Sequence, residues 1–189
     1  VLVLLDLSES TNDPAQGGQT VLDLTKSACI LLSEAISRVG DEFAIHGFCS
    51  DGRSNVFYNR FKDFDQAWGD LAKARLAGAE GRLSTRMGAA IRHATAHLQQ
   101  VKAARRLMLV LTDGAPADID VRDPFYLRHD ARHAVDAAVR AGIVPFCLTL
   151  DPRADAYAQR IFGTRNVQVL DRVERLPERL PQLYASLTR

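Results

Sequence analysis

Val1-Leu2-Val3-Leu4-Leu5-Asp6-Leu7-Ser8-Glu9-Ser10, residues 1–10, passes from an unbroken apolar run to a carboxylate followed by two alternate hydroxyls. A half-exposed strand alternates apolar and polar residues, whereas a run this apolar fits a central strand of a parallel sheet, buried on both faces. The polar residues then stand at the strand's carboxyl end, where open α/β sheets collect their function. The D-x-S-x-S pattern directs Asp6, Ser8 and Ser10 to one side for as long as the chain stays extended.

Outward from this opening, short β-rich runs alternate with longer stretches of helical periodicity, and no internal repeat interrupts them. The pattern predicts a helix from Val21 to Val39 closed by Gly40, and strands at Glu42–Phe48 and Asn55–Phe61 joined through Ser50-Asp51-Gly52-Arg53 as an antiparallel edge hairpin. Helices are expected at Phe64–Ala77, Thr85–Gln100 and Arg128–Ala141, with strands at Arg106–Thr112 and Ile143–Leu150. A short helix at Ala154–Phe162, a strand at Asn166–Leu170 and a helix at Leu176–Leu187 complete the series. The expected fold class is α/β: a doubly wound, mostly parallel sheet with an antiparallel edge strand and helices on both faces.

The chain of 189 residues suits one domain spanning 1–189. Its 47% hydrophobic and 25% charged content excludes disordered and fibrous classes. A net charge of +1 argues against nucleic acid or an anionic membrane as the main partner. Cys29, Cys49 and Cys147 are too scattered for a zinc knuckle or a disulfide framework, so a reducing, cytoplasmic setting is expected. The apolar run Val1–Leu5 is far shorter than the roughly 18 residues a membrane helix needs. Beginning inside a strand without Met, the sequence reads as the C-terminal segment of a longer protein.

Two further loops carry chemistry. Gly81-Arg82-Leu83-Ser84-Thr85 presents a threonine at a helix entry, and the strand through Leu111 ends in Thr112-Asp113-Gly114. Carboxylate and hydroxyl oxygens without His or Cys suit a hard divalent cation, Mg²⁺ first, with Mn²⁺ or Ca²⁺ as alternatives. The candidate metal ligands are Asp6, Ser8, Ser10, Thr85 and Asp113.

These three loops, in this order, resemble the metal-ion-dependent adhesion site of von Willebrand factor A domains. Residues 6–13, Phe43-Ala44-Ile45-His46-Gly47-Phe48, residues 81–88 and residues 112–121 look more closely like the C-terminal A domain of the CbbO and NorD proteins. That resemblance covers nearly the whole chain. It implies a non-catalytic adaptor that links a hexameric MoxR-type AAA+ ATPase (CbbQ- or NorQ-like) to a client, an acidic client residue completing the metal's coordination. Residues 47–52 incline the reading toward CbbO-type rubisco activation. The alternative is NorD-type activation of nitric oxide reductase.

Other features have plainer readings. Glu9, between the serines, is expected to face solvent, and Asp118, Asp120 and Asp123 to cap and salt-bridge rather than bind a second cation. His93 and His97, like His129 and His133, share a helical face at i, i+4. The Glu of a zinc-protease H-E-x-x-H is absent, so surface or partly buried histidines are expected, with His46 a satisfied core histidine. Gly114 is expected to permit close backbone approach. No phosphate loop, dinucleotide fingerprint or nucleophile elbow is present. A Mg²⁺-dependent phosphohydrolase, using Arg82 and Arg86 on phosphate, is the rival class.

Overall fold

The computed structural model describes residues 1–188. Strands β1 (Leu2–Asp6), β2 (Ala44–Ser50), β3 (Val56–Lys62), β4 (Arg106–Thr112), β5 (Ile143–Thr149) and β6 (Val167–Val169) alternate with helices α1 (Val21–Val39), α2 (Asp70–Ala77), α3 (Met87–Gln99), α4 (Pro124–Arg140), α5 (Ala158–Phe162) and α6 (Leu176–Thr188). They form one sheet in the order β3-β2-β1-β4-β5-β6. All pairs are parallel except β2 with β3 at the edge. The doubly wound sheet expected from the sequence is present.

Burial follows the pleat. Val3, Leu5 and Leu7 join Leu109, Leu111 and helices α1 and α6 on one face, while Leu2 and Leu4 join Met108, Val110 and helices α3, α4 and α5 on the other. Every residue of β1 is buried, which is why its sequence shows no polar alternation. The chain runs outward in opposite directions from β1 and its neighbour β4. Their carboxyl ends therefore flank the topological switch point, where such sheets open a crevice.

Helix α1 matches its expected span, with a capping box between Thr20 and Asp23 at its start and Gly40 at φ 86° closing it. Three helices differ clearly from expectation. Helix α2 begins only at Asp70, since the residues before it are drawn into turns: Asp63 N–H donates to the Gln66 side chain and the Trp68 indole to Glu34. Helix α4 begins earlier than expected, at Pro124, because the Asp123 carboxylate accepts the Phe125 N–H and proline suits the first turn. The segment read as one helix from Ala154 splits into a 3₁₀ turn, Ala154–Ala156, and α5, divided at Tyr157.

Candidate functional site

Asp6 ends β1 with its side chain buried. Its Oδ1 accepts the Ser8 N–H at 2.9 Å, which folds the chain back on the strand end. Ser8 remains extended, but residues Glu9–Asn12 turn into a 3₁₀ helix. Strict alternation thus does not bring Ser10 to the same side. The turn does so instead, with the Ser8 and Ser10 hydroxyls 3.2 Å apart and Thr11 Oγ1 donating to the Ser8 carbonyl at 2.7 Å.

The second loop is laced to the first. Glu9 N–H donates to the Leu83 carbonyl at 3.0 Å, Arg82 N–H to that of Leu7 at 2.8 Å, and Asn12 Nδ2 to that of Gly81 at 2.7 Å. The approach is tight enough that a Cβ at Gly81 would lie 2.3 Å from Thr11 Oγ1. Leu83 is a non-glycine residue at positive φ, 65°, held there by this lacing. The loop delivers Thr85, whose Oγ1 reaches Asp6 Oδ1 at 3.4 Å.

Arg86 fixes the position of Thr85. Its backbone N–H donates to Ser50 Oγ at 3.0 Å, its Nε pairs with Asp118 at 2.8 Å, and its Nη2 pairs with Asp120. Asp118 also accepts the Gly52 and Ile119 N–H groups. Burial alone would raise its pKa, but the hydrogen bonds from Gly52, Ser50, Ile119 and Arg86 hold it below the usual range. Asp118 and Asp120 are thus ion-pair partners and Asp123 a helix cap, as expected. Arg86 is accordingly committed to carboxylates, and the Arg82 guanidinium lies over the Phe57 ring.

From β4, Thr112 Oγ1 donates to Asp6 Oδ2 at 2.7 Å. This threonine orients the carboxylate, a role that only its place in Thr112-Asp113-Gly114 hints at. Among the described residues, Asp113 Oδ1 is buried with no hydrogen-bond partner. Burial, and then the charge of Asp113, push the Asp6 pKa up to about 6. Burial also raises Asp113, with Asp13 and Asp151 adding to the effect and the Ser10 hydroxyl opposing it. Two carboxylates, an orphaned carboxylate oxygen and nearby neutral hydroxyls form a donor set that fits a hard divalent cation.

Glu9 is exposed and serves Asn12 at 3.3 Å. Gly114 departs from expectation: a Cβ there would meet nothing within 4 Å, because its backbone turns to open space beside Thr112. His46 is fully buried, with Nδ1 2.8 Å from the Tyr58 hydroxyl and Nε2 2.8 Å from Asp63, a satisfied core histidine. Among the described residues no three His, Cys, Asp or Glu side chains gather as a metal cluster. No helix among them is long and apolar enough to cross a membrane.

Comparison with known proteins places this geometry in context. The family model described as von Willebrand factor type A domain matches residues 1–183. Protein NorD of Stutzerimonas stutzeri is 39% identical over 169 residues, covering 89% of this chain and 28% of that protein. Protein NorD of Brucella melitensis is 36% identical over 187 residues, covering 99% of this chain and 29% of that one. The chain therefore spans under a third of these relatives. Among solved structures, the D319A mutant of the PilB minor pilin from Streptococcus sanguinis superposes with a TM-score of 0.76 at 12% identity, covering 98% of this chain and 60% of the pilin. Proximal thread matrix protein 1 from the mussel byssus, described with a zinc-occupied MIDAS motif, gives 0.68 at 13% identity, covering 96% and 46%. At these identities the structures speak for the fold.

Proposed function

This chain belongs to the von Willebrand factor type A domain family, and from that premise we propose that it is a metal-dependent protein-binding adaptor domain without catalytic activity of its own. Asp6, Ser8, Ser10, Thr85 and Asp113 would hold the divalent cation, Mg²⁺ first, with Thr112 orienting Asp6. When bound, the cation would supply an open position for a carboxylate oxygen from a client. The observation that carries this reading is the buried, unpartnered Asp113 Oδ1 beside the buried Asp6 carboxylate. A buried carboxylate beside a half-buried one with an orphaned oxygen is costly without a compensating cation.

The other half of the adaptor would be a hexameric MoxR-type AAA+ ATPase, which supplies the force. Relatives named NorD at 36–39% identity support nitric oxide reductase as the client. The resemblance of residues 47–52 to CbbO keeps rubisco as the second candidate. The phosphohydrolase reading loses one of its two phosphate-binding residues, since Arg86 is locked between Asp118 and Asp120 and only Arg82 remains.

The test is a pull-down of nitric oxide reductase and of rubisco by the chain with its ATPase partner, in Mg²⁺ and in excess EDTA, with Asp6→Ala alongside wild type. Capture of one client, lost both in EDTA and in the variant, is the expected result and identifies the branch. Capture indifferent to both treatments would sink the metal-bridged reading.

A further inference from the structure

Helix α3 carries a second constellation, away from the strand ends. His93 and His97 stand one turn apart on this helix, and their Nε2 atoms share a hydrogen bond of 3.3 Å, so one of them carries a proton that must move to Nδ1 or to solvent before both can face a metal. In a tetrahedral zinc site with Zn–N bonds of about 2.0–2.1 Å, two imidazole nitrogens are separated by about 3.3–3.4 Å, so the pair already has the bite of a chelate. The rings are also held in place. His93 packs edge-on against Tyr58 at 4.3 Å between centroids, and His97 lies nearly parallel to Tyr58 at 5.9 Å and edge-on to His46 at 5.0 Å. Rings fixed by packing lose little freedom on binding, which is the main cost of a two-residue site.

We propose that His93 and His97 form a bidentate Nε2 chelate for a transition-metal dication of the Zn²⁺, Ni²⁺, Cu²⁺ class, chemically distinct from the oxygen-lined site at the strand ends. His46 is not a third ligand, because both its nitrogens are engaged, by Tyr58 and by Asp63. Asp63 is not one either: it holds His46 and pairs with Arg60 at 3.2 Å. The open positions therefore face solvent beside His93, which is exposed. Histidines 129 and 133 share the same spacing on α4 but are exposed, with no ring contact joining them among the described residues, so they serve as an internal control.

Copper, favoured among these ions by any nitrogen site, is the probe. Cu²⁺ is titrated into the Asp6→Ala chain, which removes competition from the oxygen-lined site, and the complex is read by electron paramagnetic resonance and calorimetry. One bound equivalent with nitrogen hyperfine coupling is expected. His93→Gln and His97→Gln should each weaken binding by about tenfold or more, while His129→Gln leaves it unchanged. Circular dichroism checks that each variant keeps its helical content, and the exposed position of His93 makes that variant the safer of the two. A smaller loss in both variants, a spectrum without nitrogen coupling, or dependence on His129 instead would overturn the proposal.

Discussion

Asp6 is buried and Asp113 half-buried, with one Asp113 oxygen unpaired, so two like charges that a bound cation would offset weigh on the fold when none is bound. Replacing Asp113 by Asn removes one of those charges while keeping the shape. In EDTA the variant should be at least as stable as wild type in urea unfolding, whereas in saturating Mg²⁺ the order should reverse. Wild type leading in both conditions would mean that the carboxylates are compensated by the protein itself. His46 gives a separate pH dependence. Burial lowers its pKa from 6.5 to about 4, partly opposed by its bond to Asp63. As pH falls below 6.5 the unfolded chain takes up this proton before the folded chain does, so stability declines from there to about pH 4 and is complete above 6.5. The loss approaches 3 kcal/mol on the order-of-magnitude scale of 1.36 kcal/mol per pKa unit. In His46→Gln that portion of the slope should vanish from unfolding free energies measured between pH 7.5 and 4.5. The candidate oxygen donors could be picked out in the sequence because their residue types and order stand at the strand ends, and the structure brings Asp6, Ser8, Ser10 and Thr85 close together. The role of Thr112 and the open surroundings of Gly114 could not, since both depend on where a neighbouring strand or backbone lies.

Between elements, the candidate site is held by contacts that its proposed ligands do not make. The Arg86 side chain, 8% exposed, joins the start of α3 to the fully buried Asp118 carboxylate in the loop before α4. Arg86→Met would leave that carboxylate without its cation, at a cost of about 3–5 kcal/mol for breaking a buried pair. Arg86→Met with Asp118→Asn should recover part of the loss, because no charge is then stranded. If denaturant unfolding of the double variant is no more stable than Arg86→Met alone, the ion pair is not what matters there. Gly81→Ala acts at the other end of the same loop. Its methyl group must displace Thr11 or Asn12, shifting the segment that delivers Thr85, and calorimetry should show weaker Mg²⁺ binding with little change in helical content. The spans of α1 and β4 could be read from sequence because an apolar stripe or run coincides with a cap or a polar stop. The starts of α2 and α4 could not. Hydrogen bonds between side chains distant in sequence set the first, and a cap embedded in an acidic loop set the second.

At the scale of the whole molecule, the strand order fixes what a cation bound at the proposed site would do for the fold. Asp6 and Asp113 come from two neighbouring central strands, β1 and β4, and Thr85 comes from a loop laced to the first of them. A cation shared among them therefore joins the centre of the sheet, so that its binding is lost with the global fold. Linkage then applies in its simple form. A ligand that binds only the folded chain stabilises it by about 2.7 kcal/mol at one hundred times its dissociation constant. For a domain of 150–250 residues, each kcal/mol moves the melting temperature by about 2–4 °C, so saturating Mg²⁺ should raise it by roughly 5–10 °C over EDTA. Asp6→Ala should melt at the same temperature in both solutions. A wild-type shift that survives in Asp6→Ala would place the stabilising ion elsewhere, and Cu²⁺ shifts kept in Asp6→Ala but lost in both His93→Gln and His97→Gln would direct attention to α3. A wild-type chain indifferent to Mg²⁺ would mean that the protein's own hydrogen bonds, among them those from Thr112 and Ser8 to Asp6, compensate the carboxylates, and the domain would then have to hold its client without a metal.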